Sequence, residues 1–149
     1  MEEGSTPGLW KSDGTSEGTV RIDNEQELNI QGHPDGGGVI DLGGTLFFTA
    51  DDGTHGYELW TSDGTVSGTH LLKDIYPQDS IHNEGHSYPH NYVNFNGTLF
   101  FVAGLNDDSP LHGLWKSDGT SEGTVRIDND QERNIQAVSS THLTQPTNA

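Results

Sequence analysis

Residues 8–24 read GLWKSDGTSEGTVRIDN, and residues 113–129 read the same 17 letters without a change. Between them, residues 57–75 read YELWTSDGTVSGTHLLKDI, a looser third copy. The aligned tryptophans Trp10, Trp60 and Trp115 stand 50 and 55 residues apart. A second motif precedes two of the three copies. It is GTLFFTADDGTHG at 44–56 and GTLFFVAGLNDDSPLHG at 97–113. A period near 50 residues leaves few architectures: propeller blades, solenoid turns or strings of small domains.

The local pattern selects among them. Asn91–Phe95 and Thr98–Val102 are β-rich runs around Asn96-Gly97, a hairpin signal because both turn residues must take positive φ. The stretch Val39–Thr49 turns in the same way at Gly43-Gly44. Tyr57–Trp60 then forms a short run closed by Ser62-Asp63-Gly64-Thr65, and Gly68-Thr69 opens His70–Ile75. No segment carries a 3.6-residue period, and Gly, Pro, Asp and Asn recur too often for a useful helix. The expected fold is all-β, with β-propeller-like blades of four antiparallel strands a–d.

On this reading, residues 1–38 are a half blade (strands c and d) and a linker. Residues 39–90 are a full blade and connecting loop, 91–130 a second full blade, and 131–149 a tail. That is about two and a half blades, against the four to eight of closed rings. Completion by another copy, or by a longer array, is therefore expected. The tail run Ala137–Thr144, with Val138 and Leu143, reads as a donor strand for the half blade of a second subunit. Such a head-to-tail contact builds a ring or a filament. Trp10, Trp60 and Trp115 are the expected anchors between blades. Phe47, Phe48, Phe100 and Phe101 join them in the same layers.

The run Tyr57-Glu58-Leu59-Trp60-Thr61-Ser62-Asp63-Gly64-Thr65 resembles the ELW-x-x-DGT repeat found in tandem in large secreted bacterial proteins. The flanking Leu46–Gly53 and Leu72–Ile75 are similar to that repeat as well, and the likeness covers most of residues 8–130. Gly8 and Gly113 depart from it, standing where the family has Glu. The resemblance implies an extracellular, propeller-like repeat array and no known reaction.

Composition narrows the function. The 149 residues include 6 Lys and Arg against 23 Asp and Glu, a net charge of −17. Nucleic acid and anionic membrane surfaces are disfavoured partners for such a chain. The absence of Cys excludes disulfides, zinc-thiolate sites and cysteine nucleophiles. No apolar run approaches the roughly 20 residues that span a bilayer. The opening MEEGSTPGLW carries acids where a secretory signal needs basic residues. A cytoplasmic chain, or a processed or partial version of a secreted one, is the expectation. Only 29% of residues are hydrophobic, which suits thin sheets whose turns take up much of the sequence.

Several short motifs invite a chemical reading. Gly14–Gly18 and Gly119–Gly123 match G-x-S-x-G by letters, but a nucleophile elbow needs a strand-to-helix turn. They read as glycine-bounded turns, and no catalytic residue is assigned. Asp51, Asp52, Asp107 and Asp108 put hard oxygen ligands on loops and are the candidate calcium ligands. Asp before Gly is equally a common turn residue. His82, His86 and His90 are spaced by four, but Gly85 and Pro89 argue against the helix that would align them. Asn96-Gly97-Thr98 is a glycosylation sequon at the proposed hairpin turn. Tyr57, Tyr76, Tyr88 and Tyr92 are candidate glycan-stacking rings. The expected function is a noncatalytic, extracellular structural repeat protein that assembles with itself. A calcium- or glycan-binding propeller module is the alternative.

Overall fold

The computed structural model describes residues 8–22, 30–33, 38–77, 85–104 and 112–128. The expected donor strand with Val138 and Leu143, the loop acids Asp107 and Asp108, and His82 lie outside the described residues. Within them the chain is all-β. It has eleven strands and no helix, and every pairing is antiparallel.

The strands form three meandering sheets. The first pairs β1 (Trp10–Lys11) with β2 (Val20–Arg21). The second contains β3 (Gln31–Gly32), β4 (Val39–Leu42), β5 (Thr45–Asp51), β6 (Glu58–Ser62) and β7 (His70–Lys73). Here β3 and β4 both pair with β5, at its two ends, so together they act as one broken outer strand. The third sheet runs β8 (His90–Phe95), β9 (Thr98–Ala103), β10 (Gly113–Ser117) and β11 (Val125–Arg126). Its β8 is a single strand, with an irregularity between His90 and Val93.

The hairpins follow from turn chemistry. Asn96 and Gly97 take φ of 52° and 84°, and Gly43 and Gly44 take 64° and 90°. Those left-handed conformations match the twist of the flanking strands. Each turn is also held by a side chain two residues before it. Gly44 N donates to Asp41 Oδ1 at 2.8 Å, and Gly97 N donates to Asn94 Oδ1 at 2.9 Å.

Packing is face to face. One core joins Phe47, Leu59 and Leu72 of the second sheet to Leu99, Phe101 and Ala103 of the third, with Ile40, Leu42, Tyr92 and Trp115 at its border. Phe48, Ala50, Trp60 and Ile30 form a second core on the opposite face of the second sheet, against Leu9 of the first. The middle sheet is thus covered on both sides, and all five residues of β6 are buried. In β10, by contrast, burial alternates along the strand. Each fully buried Phe or Leu contributes about 1.5–3 kcal/mol, so two small cores serve despite the low apolar content.

Candidate functional site

The repeated S-D-G-T-x-x-G-T segment forms the same closed turn three times. In the middle copy, Gly64 N donates to Ser62 Oγ at 2.9 Å, and Thr65 N and Oγ1 both donate to Asp63 Oδ1 at 2.9 and 2.6 Å. Gly68 N donates to Thr65 Oγ1 at 3.0 Å. Thr69 Oγ1 donates to Thr65 O at 2.6 Å, which leaves its lone pairs to accept from Ser62 Oγ at 2.6 Å. The turns beginning at Ser12 and Ser117 repeat this network bond for bond. Asp13, Asp63 and Asp118 are held below the usual carboxylate range, first by the Thr hydroxyl and then by the Thr amide. A Cβ on Gly18, Gly68 or Gly123 would stand within about 2 Å of its Asp carboxylate. The motif therefore encodes a turn between strands. Ser16 and Ser121 each occupy the first of its two variable positions, not a strand-to-helix elbow.

Lysines tie each sheet to the turn of the next. Lys11 Nζ donates to Gly64 O at 3.0 Å, and Lys73 Nζ donates to Ser121 O at 3.2 Å. A groove of about 590 Å³ lies at the turn end of the second junction, between Leu42, Gly43 and Phe47 on one side and Asn94, Gly97 and Gly119 on the other.

Glu58, quoted above in the ELW run but given no role there, has a structural one. It opens β6, is fully buried, and accepts from Ile75 N (2.9 Å) and Ser87 Oγ (2.5 Å) on one oxygen and from Tyr76 N (3.2 Å) on the other. Burial pushes its carboxyl up to about 8; the Ser87 hydrogen bond opposes this and nearby Asp74 adds to it. Glu58 clasps the extended segment 85–89 between the second and third sheets. Ser87 N and Tyr88 N donate to Tyr57 O at 3.0 and 3.1 Å, while Gly104 N donates to Ser87 O at 2.6 Å. Thr49 Oγ1 donates to Pro89 O, and the Tyr92 hydroxyl shares that carbonyl at 3.2 Å.

The glycines that replace Glu58 in the outer copies have a steric reason. A Cβ on Gly8 would stand 2.4 Å from Arg21 Nε, and one on Gly113 would meet Arg126 Nε and Asp128 Oδ1 at 2.4 Å. The middle copy has Leu71 at the Arg position and so has room for Glu. In the third sheet Arg126 donates to His112 O and Asp128, and Asp128 accepts from Leu114 N at 2.7 Å. The sequence signal was present in the paired exchange of Gly and Arg for Glu and Leu.

The other singled-out residues fall in separate places. Asp51 accepts from Gly53 N, and Asp52 accepts from the amides of Thr54 and His55 and pairs with His55 Nδ1 at 2.7 Å. Both make local turns. Among the described residues no group of three or more His, Asp or Glu is arranged to hold a metal ion. Asn96 is exposed at its turn. Tyr57 and Tyr88 stack at 5.6 Å beside His33 and His86, and Tyr57 N donates to His86 Nδ1 at 2.8 Å. Phe47, Phe48, Phe101 and Trp60 are buried, Phe100 and Trp115 partly so, and Trp10 is 55% exposed. Comparison with protein-family models, curated proteins and solved structures gives no match for this chain.

Proposed function

We propose that this protein is a noncatalytic, extracellular structural repeat unit with propeller-like sheets that assembles head-to-tail with itself into a filament or ring. One observation carries the reading. Nearly every recurring residue is spent on turns and hairpins within a repeat or on the face-to-face stacking by which one repeat meets the next. The repeated Ser, Asp, Gly and Thr are consumed by turn closure, and the buried Glu58 is consumed by a clasp between sheets. The donor-strand tail is the expected route for completing the first sheet. Light scattering and negative-stain imaging of the full chain test the proposal. Rings or fibres that grow with protein concentration support it, and compact, monodisperse monomers at micromolar concentration overturn it.

A second reading, a glycan-binding module, draws on the Tyr57–Tyr88 stack flanked by two imidazoles. Glycan-array binding that is lost in Tyr57→Ala and Tyr88→Ala would favour it. Calcium is addressed by comparing assembly in CaCl2 and NaCl at equal ionic strength, where a site predicts an excess effect of CaCl2.

A further inference from the structure

The two internal junctions have one direction. In each, a front face of the earlier repeat packs on a back face of the later one. The second sheet's front face is Ile40, Leu42, Phe47, Leu59 and Leu72, and it is covered by the back face Leu99, Phe101, Ala103 and Trp115 of the third sheet. The second sheet's own back face carries Leu46, Phe48, Ala50 and Trp60, and it packs on Leu9. The repeat alignment and strand registers give the third sheet a front face too: Val93, Phe95, Phe100, Leu114 and Ile127. Nothing described covers that face. Phe95 is 62% exposed and Leu114 is 40% exposed, whereas the equivalent Leu59 is fully buried. At the opposite end, Trp10 is the back-face residue of the first sheet and is 55% exposed, where its equivalent Trp60 is 3% exposed.

We infer that the front face of the third sheet is the docking surface for the back face of the first sheet in a second copy of this chain, with Trp10 as the anchor. The inference rests on the self-assembly reading and names the surfaces that perform it. The occupant follows from the internal junctions, in which a front face of this kind is covered by a back face with a Trp at this position. A polar contact follows the same register. Lys116 is exposed at the position of Lys11, which spans its own junction to reach Gly64 O in the following turn. The equivalent acceptor in a second copy is the carbonyl of Gly14. A contact of this kind uses different surfaces on the two partners, so it propagates without using up its ends.

The test is a mixing experiment with two variants of the full chain, each blocked on one face. Leu114→Lys places a charge on the front face and Trp10→Lys on the back face. Both sites are exposed in the monomer, so circular dichroism of each dilute variant should match the parent. Leu114→Ser and Trp10→Ser serve where a lysine variant does not fold. In sedimentation velocity each variant alone should stay monomeric, its association shifted by roughly tenfold or more in concentration. An equimolar mixture should form dimers and stop there, because each variant keeps one competent face. A mixture that gives no dimer overturns the pairing of these faces. If the parent assembles and Leu114→Lys assembles equally well, the surface assignment fails while self-assembly stands. If the parent stays monomeric throughout, both readings fail.

Discussion

The second and third sheets share the run Leu-Phe-Phe, an aligned Trp and the same closing turn, yet their strands live in different surroundings. Leu59 in β6 is fully buried and Leu114, its counterpart in β10, is 40% exposed. Phe47 is buried between sheets, whereas Phe100 stands partly open and meets Phe95 edge-on at 6.1 Å. The difference is not in these paired residues, which are of the same type. A sheet face in this fold becomes core only when a neighbouring repeat arrives to cover it, so each repeat depends for part of its stability on the next one.

The largest effect that sharpens this comparison comes from truncating the two leucines. Leu59→Ala should cost about 2–5 kcal/mol in denaturant unfolding, from lost burial and the cavity left behind. Leu114→Ala in dilute protein should cost under about 1 kcal/mol. Equal losses would mean that the third sheet's outer face is covered already.

Next in size is a pH effect confined to the middle repeat, the only one of the three with the clasp. Glu58 has an ordinary value of 4.5 and a folded value near 8. Between those values the folded chain holds a proton that the unfolded chain has released. Stability from this group is therefore full below about 4.5 and is lost as pH climbs through 8. The loss is on the order of a few kcal/mol. Glu58→Gln should flatten the slope of unfolding free energy across that window. An unchanged slope would mean that the carboxyl titrates normally.

Smaller again is the turn comparison. Ser62→Ala takes from the buried Thr69 hydroxyl one of its two partners and leaves the Gly64 amide without its Ser62 acceptor, and should cost about 1–3 kcal/mol. Ser12→Ala breaks the same bonds at an exposed turn, and water replaces them, so it should cost well under half as much. Thermal unfolding of the two variants separates these outcomes. The smallest effect expected is from Asn96→Ala. It forces an L-residue with φ of 52° to lose a side chain suited to that conformation, at a cost of about 1 kcal/mol or less.

What the sequence disclosed was local. Asn96-Gly97 and Gly43-Gly44 announce hairpins because positive φ is a property of the turn residues themselves. The S-D-G-T run likewise closes its turn with its own side chains. The all-β class and the order of strands in each sheet were therefore legible. The break of one outer strand into β3 and β4 was not, since neither piece carries a signal beyond a few residues. Nor was the fate of Trp10 and Trp115. Their flanking residues are identical over 17 positions, but Trp115 has Phe101 beside it at 6.3 Å and a neighbouring sheet against it, and Trp10 stands in the open. Glu58 was half legible. Its replacement by Gly in the outer copies is plain in the letters, but the reason, Arg21 and Arg126 occupying its space, lies in folded contacts.

The central claim, that a face becomes core when another repeat covers it, is tested most directly by the accessibility of Trp10. In a full chain carrying Trp60→Phe and Trp115→Phe, Trp10 is the one indole left. Acrylamide quenching should be strong in dilute protein and should weaken as concentration rises through the range in which scattering reports assembly. Quenching that stays equally strong while the protein assembles would contradict the account.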